Sequence, residues 1–372
     1  MSNPKSHRPE WVPKNAGREF TTSIVKGTAS KVHMTKKDIS TAKRKTLTVP
    51  DYVDGVLEND RTILGRTVTL IESNSQQQHR TAQEVLNKLL PHTGKSLRIG
   101  ITGIPGAGKS TFIESFGLYL IQKGHKVAVL TIDPSSSISK GSILGDKARM
   151  ERLSRESNCF IRPSPSGGAL GGVARKTRET MLVCEAAGYD VILVETIGVG
   201  QSEITVRSMV DFFVLILVAG AGDELQGIKK GVMELTDILL INKADGVNKA
   251  HAELTRSEYS RALHYLAPAT KGWTTEARTY SALTGEGIPL LWQTIKQFKE
   301  VTTSSGIFEE RRRNQLMEWF TAIIDERTRE LFYSDPKTRS LLSHIRRQIQ
   351  NKTISPTAAA ELLLRKHYKN LG

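Results

Sequence analysis

A chain of 372 residues with 38% hydrophobic and 24% charged residues has the balance of a globular protein, long enough for one sizeable α/β domain with helical additions. Its formal net charge is +15, and 11 of its 53 Lys/Arg but only 3 of its 38 Asp/Glu fall within residues 1–48, so over half of the excess belongs to that stretch. The longest apolar run, Phe212–Ala219, is too short to cross a bilayer. The two cysteines, Cys159 and Cys184, and the scattered histidines form no disulfide framework or metal-ligand spacing, which points to a reducing compartment.

Residues 1–48, rich in Lys, Ser and Thr with Pro4, Pro9 and Pro13, read as a flexible solvated arm. With only Trp11 and Phe20 as aromatics, the arm argues against nucleic-acid binding. Its scarcity of acids fits a mitochondrial transit peptide, but Lys outnumbers Arg and no amphipathic face is visible, so a bacterial cytoplasmic protein is the expectation. Residues 49–96 form an N-terminal helical segment, with Val53, Val56, Leu57, Ile63 and Leu64 at helical spacing. Residues 97–305 then alternate helices with strands at Leu97–Thr102, Lys126–Asp133, Asp190–Thr196, Phe212–Ala219, Asp237–Asn242 and Arg278–Leu283. Runs such as DVILVET and FFVLILVA are apolar throughout, as in strands covered on both faces. The fold class is therefore α/β, with a mostly parallel, doubly wound sheet. Residues 306–372 return to helices: Leu316, Trp319, Phe320, Ile323, Ile324 and Leu331 mark a long amphipathic one, and a last one begins at Ser355 with Pro356 in its first turn.

The strongest motif follows the first strand. Gly103-Ile-Pro-Gly-Ala-Gly108-Lys109-Ser110 matches G-x-x-x-x-G-K-[ST] between the strand LRIGIT and the helix FIESFGLYLIQ, the context of a P-loop. Gly103, Gly106, Ala107, Gly108, Lys109, Ser110 and Thr111 are the candidate phosphate-binding positions. Backbone N–H groups cradle the anion at a helix N-terminus, Lys109 reaches the β- and γ-phosphates, and Ser110 ligates Mg²⁺. Asn242, Lys243 and Asp245 form an N-K-x-D at the end of ILLIN. The Asp245 carboxylate only accepts hydrogen bonds, so it suits the N1–H and 2-amino group of guanine, whereas adenine offers an acceptor there. Ser281, Ala282 and Leu283 make a second strand-end loop that closes over the base, and the set points to GTP and GDP rather than ATP. Asp133, Asp146 and Glu195 are the acids available to hold Mg²⁺ and the attacking water, two of them at strand C-termini, and the Gly198 N–H lies where it can meet the γ-phosphate. The candidate catalytic positions are thus Lys109, Asp133, Glu195 and Gly198.

With these residues in place the chain resembles the MeaB/ArgK family of G proteins, which includes the methylmalonic aciduria type A protein. The resemblance rests on GITGIPGAGKSTFIE, TIDPSSS, GSILGDKARME, RPSPSGGALGGVARKTRE, VETIGVGQSE, GAGDELQGIKKG, NKAD and SALTGEG, and covers the chain from about residue 50 to its end. It implies a P-loop GTPase that accompanies an adenosylcobalamin-dependent acyl-CoA mutase, with Ser110, Asp133, Asp146 and Glu195 around Mg²⁺. It also implies that Asp223, Gln226 and Lys229 signal to the mutase and that the C-terminal helices form a homodimerisation arm. The chain has no D-x-H-x-x-G cobalamin sequence, so the cofactor is expected in the partner. One departure is Arg207-Ser208-Met209-Val210-Asp211, where the family usually has D-M-V-D. Two other readings are a GTP-driven metal-insertion chaperone and a kinase acting on an amino-acid-binding transport protein. The residues leave open which mutase is served.

Overall fold

Every strand of the central sheet runs parallel to its neighbours. The computed structural model describes residues 47–132, 149–163, 170–196, 202–218 and 230–369, and the elements below belong to the unit spanning residues 48–372. The strands are β1 (Leu97–Gly103), β2 (Val127–Ile132), β3 (Cys159–Pro163), β4 (Val191–Thr196), β5 (Phe212–Val218), β6 (Ile238–Asn242) and β7 (Glu276–Thr279), in the order β3-β2-β4-β1-β5-β6-β7. β2, β4 and β6 are buried at every residue, the reason their sequences are apolar without alternation.

Two strands depart from expectation. β3, with only five residues that include Arg162 and Pro163, carries no sustained apolar signal, yet it pairs with β2 from Val127↔Cys159 to Thr131↔Pro163. It is an edge strand, where a proline lacking an N–H is tolerated. β7 ends at Thr279, paired with Ile241, rather than running on through Leu283. Residues 280–287 turn away instead, with Gly285 and Gly287 at positive φ, which frees Ser281–Leu283 for a loop.

Helices cover both faces. The first three, α1 (Val49–Leu57), α2 (Arg61–Glu72) and α3 (Gln76–Leu89), start at local signals: Thr48 and Asp51 form a capping box on α1, and Asp60 accepts from the Thr62 and Ile63 amides of α2. Then follow α4 (Lys109–Gln122), α5 (Glu151–Ser154), α6 (Leu170–Ala186), α7 (Ser202–Arg207), α8 (Lys230–Met233), α9 (Lys249–His264) and α10 (Ile288–Ser304). Alternate strand residues sort into three cores, one of which gathers Leu215, Leu217, Leu239 and Ile241 against α9. Ile99, Ile101, Val129 and Val214 pack with Phe112, Phe116, Trp292 and Phe298 of α4 and α10. Ala128, Leu130, Ile192 and Val194 face α1–α3 and α6. Past Gly306 come α11 (Ile307–Ser334), α12 (Pro336–Gln350) and α13 (Pro356–Lys369). α12, which the apolar pattern did not separate, is set off by Asp335, whose carboxylate caps the Thr338 amide, and by Pro336 at its first position. No described helix is long and apolar enough to cross a membrane.

Candidate nucleotide-binding site

β1 lies between β4 and β5, so its C-terminal end opens onto the middle of the sheet edge. The chain turns there through residues 104–108 into α4. Two glycines are required by contact as well as by conformation. A Cβ on Gly103 (φ 153°) would lie 2.2 Å from the Ile216 carbonyl oxygen, and one on Gly108 (φ 86°) would lie 2.4 Å from Asn242 Nδ2. The phosphate-binding loop is therefore seated directly on the asparagine of N-K-x-D.

A cavity of about 510 Å³ is lined by Pro105, Gly106, Gly108, Lys109, Ser110, Thr111, Arg149 and Glu195. Lys109 is only 8% exposed, and its Nζ donates to the carbonyls of Gly103 (2.7 Å) and Ile104 (3.1 Å). Burial lowers its pKa, against the opposing pull of the Glu195 and Glu203 carboxylates; Arg149 lowers it further. Ser110 Oγ donates to Glu195 Oε1 at 3.2 Å, bringing the first residues of α4 and the end of β4 to one point. Behind them Thr196 Oγ1 donates to Thr102 Oγ1 (2.8 Å), and Thr102 Oγ1 lies 3.5 Å from the buried Glu203 of α7.

On the base side, Asn242 ties three segments together. Its Nδ2 donates to the Ala107 carbonyl (2.7 Å), and its Oδ1 accepts from the amides of Lys243 (2.7 Å) and Ala282 (3.1 Å). Lys243 has φ 60°, a left-handed turn that ends β6. The Asp245 carboxylate accepts from Ser281 Oγ at 2.5 Å, and the Ala282 carbonyl accepts from Ser115 Oγ of α4 at 2.6 Å. Leu283 is 82% exposed at the tip of this loop. N-K-x-D, S-A-L and the phosphate loop thus form one hydrogen-bonded rim, although 135 residues separate Asn242 from Ala107.

Asp133, Asp146, Gly198, Asp223, Gln226 and Lys229 lie outside the described residues. Arg149 in the cavity wall and Glu203 behind Thr102 were not singled out from sequence. The signal for Arg149 was its place three residues after Asp146 in GDKAR; Glu203 had none beyond an acid on a short helix. Arg207, the departure from the acidic family pattern, turns inward, and its guanidinium pairs with the buried Asp237 at 2.5 Å.

Comparisons with known proteins follow the same lines. The family model for methylmalonyl-CoA mutase-associated GTPase MeaB matches residues 64–337. A GTPase-named protein of Caulobacter vibrioides is 51% identical over 309 residues, covering 83% of this chain and 94% of that one. GTPase ArgK of Escherichia coli is 43% identical, covering 83% and 93%. The mouse mitochondrial methylmalonic aciduria type A homolog is 43% identical, covering 84% and 77%. The crystal structure of a LAO/AO transport system kinase superposes with a TM-score of 0.70 at 36% identity, covering 86% of this chain and 97% of that one. With a P-loop, a guanine-type base loop and an all-parallel sheet around them, this chain belongs to the MeaB family of GTPases, binding guanine nucleotide and hydrolysing GTP.

Proposed function

We propose that this GTPase serves an adenosylcobalamin-dependent acyl-CoA mutase, methylmalonyl-CoA mutase or a close relative. Its nucleotide state would gate loading, protection or reactivation of the partner's cofactor. The observation that carries this reading is the family match over residues 64–337, to a family named for its association with that mutase.

In this mechanism the backbone amides of Gly106–Thr111 and the N-terminus of α4 hold the phosphates, and Lys109 covers the β- and γ-phosphate oxygens. Asp245, oriented by Ser281, accepts from the guanine N1–H and amino group, while Asn242 keeps the base loop and phosphate loop in register. The donor chemistry fits Mg²⁺: Ser110 Oγ and Glu195 Oε1, 3.2 Å apart, are hard oxygen groups, joined in this reading by Asp133 and Asp146. When bound, the ion supplies charge neutralisation across the transferring phosphoryl group. Arg149, on the cavity wall, is the cation available in cis to the same charge. Glu195 orients the attacking water, and the Gly198 amide meets the γ-phosphate.

Coupling to the mutase runs through Asp223, Gln226 and Lys229. A second route begins at α7, the helix that follows E-T-I-G. Arg178 donates to Ser208 Oγ (2.8 Å) just beyond α7 and to the Gln315 carbonyl of α11 (3.1 Å), so the segment after Glu195 is tied to the C-terminal helices. Along α11 the side chains of Leu316, Met317, Phe320, Ile324 and Leu331 are each at least half exposed. This apolar stripe suits a second copy of the chain, and residues 306–372 act as a homodimerisation arm. A bacterial cytoplasmic setting accords with the bacterial relatives.

The test is GTP turnover and complex formation with the acyl-CoA mutases of the same organism, with GDP and with a non-hydrolysable GTP analogue. The reading requires one mutase that stimulates turnover and binds the two nucleotide states unequally. Identical behaviour with every mutase removes it.

A further inference from the structure

Away from the nucleotide, a second cavity of about 500 Å³ lies where the N-terminal helices, α6 and α11 meet. Its wall holds Ser73 and Asn74 after α2, His79 and Arg80 of α3, Arg175 of α6, and Arg327 with Glu330 of α11. Three guanidinium groups thus face one carboxylate, and that carboxylate is already paired with Arg327 at 2.8 Å. Among the described residues Arg80 and Arg175 form no ion pair, although the charge of Arg175 acts on the buried Glu179 carboxylate one turn along α6. Arg175 Nε is buried and finds no hydrogen-bond partner among the described residues. Lys176 adds a further cation at the edge, its Nζ donating to Asn74 Oδ1 at 2.8 Å. Buried donors are normally paired, and Arg175 is a guanidinium with its Nε unpaired that stands in the wall of a polar cavity.

We infer that this cavity is an anion site for a phosphoryl group, held by Arg80, Arg175 and Arg327. A guanidinium fork matches a tetrahedral or planar oxyanion in a way an ammonium does not. The excess of two guanidinium charges over Glu330 balances a dianion. The volume admits a small phosphorylated molecule as well as free phosphate. Because the walls come from α3, α6 and α11, the anion clamps the C-terminal helices to the N-terminal ones. His79 is an internal reporter. Burial holds its imidazole below the ordinary value, and the charges of Arg175 and Arg327 lower it further while Glu330 raises it. An anion seated among those arginines cancels their field and moves the titration to higher pH. Behind Arg175, Glu179 is buried and accepts from Gln83 at 3.2 Å, so it belongs to the packing and not to the cavity wall.

The experiment uses full-length protein saturated with GDP and Mg²⁺, so that the phosphate loop is already filled. His79 is followed by NMR while inorganic sulfate, whose charge is constant across the titration, is added at matched ionic strength against chloride. Sulfate but not chloride should raise the His79 pKa and the thermal midpoint. The Arg175→Gln, Arg327→Gln double variant should lose about tenfold or more in apparent affinity, the effect of at least one charge-assisted contact. Repeating the titration with phosphate and with glycerol 3-phosphate identifies the source. A preference for the ester assigns a phosphorylated metabolite, and equal binding assigns free phosphate. An unmoved His79 titration in wild type, or the same sulfate response in a folded double variant, overturns the proposal.

Discussion

Arg312 of α11 grips both oxygens of the Asp211 carboxylate, from Nε to Oδ1 at 2.8 Å and from a terminal nitrogen to Oδ2 at 2.7 Å, across 101 residues of sequence. The same guanidinium donates to the Ser96 carbonyl at 2.6 Å, and Asp211 also accepts the Arg98 amide at 2.8 Å. Asp211 is the acid retained in R-S-M-V-D, and it fastens the start of the C-terminal helices to the entry of β1 and β5.

Removing one partner of a buried, hydrogen-bonded pair leaves the other charge stranded. Asp211→Ala should therefore lower stability by about 3–5 kcal/mol, read as a shift in the denaturant midpoint at unchanged slope. A loss below about 1 kcal/mol would place the pair with ordinary surface salt bridges.

Lys109→Ala should leave the fold intact and reduce GTP turnover by at least about 10²-fold, as expected when a preorganised cation is withdrawn from the transferring phosphoryl group. Arg149→Ala should slow turnover with little change in GDP affinity, because it lies in the cavity wall and outside the base rim. Steady-state turnover alongside circular dichroism checks both. Normal turnover in Lys109→Ala would exclude the P-loop lysine from catalysis.

Asp245→Asn should weaken GTP binding by about 10- to 100-fold, the loss of hydrogen bonds to a charged acceptor. It should also improve binding of xanthosine triphosphate, since the amide donates where the carboxylate only accepts. Calorimetric titration with the two nucleotides decides this, and an unaltered preference would mean the base is read elsewhere.

Lys229→Ala should keep GTP affinity near wild type, because the residue lies outside the phosphate and base motifs, yet blunt stimulation by the cognate mutase. The measurement is turnover with and without mutase. Equal stimulation of variant and wild type removes Lys229 from the coupling.

Both thiols should be silent in the native protein. Burial pushes Cys159 up to about 12 and Cys184 higher still. At pH 8 only about one Cys159 in ten thousand would be thiolate. Labelling with a thiol-reactive chromophore should be negligible until denaturant is added and then reach both cysteines. Fast native labelling would show that a core opens readily, the one under α1–α3 for Cys184 and the one under α4 and α10 for Cys159.

What the amino-acid sequence determined by itself is local. The phosphate loop, N-K-x-D and S-A-L are contiguous runs whose backbone turns and side-chain chemistry are set within a few residues, and β2, β4 and β6 declare themselves because strands buried on both faces must be apolar throughout. The starts of α1 and α2 lie in their own caps, Thr48 and Asp60. The tertiary structure decided everything that depends on which distant segment a side chain meets. β3 exists because β2 supplies its hydrogen bonds, not because CFIRP is strongly strand-forming. β7 stops where Ile241 ends its pairing. Asn242 reads as one letter of a base motif, but only the meeting of the β1 and β6 ends makes it the bolt between phosphate loop and S-A-L. No local pattern gives Arg207 or Arg312 a partner; the end of α7 meeting the start of β6 pairs Arg207 with the buried Asp237, and α11 meeting the start of β5 pairs Arg312 with the buried Asp211. A charge's partner is chosen by topology, and topology is a property of the whole chain.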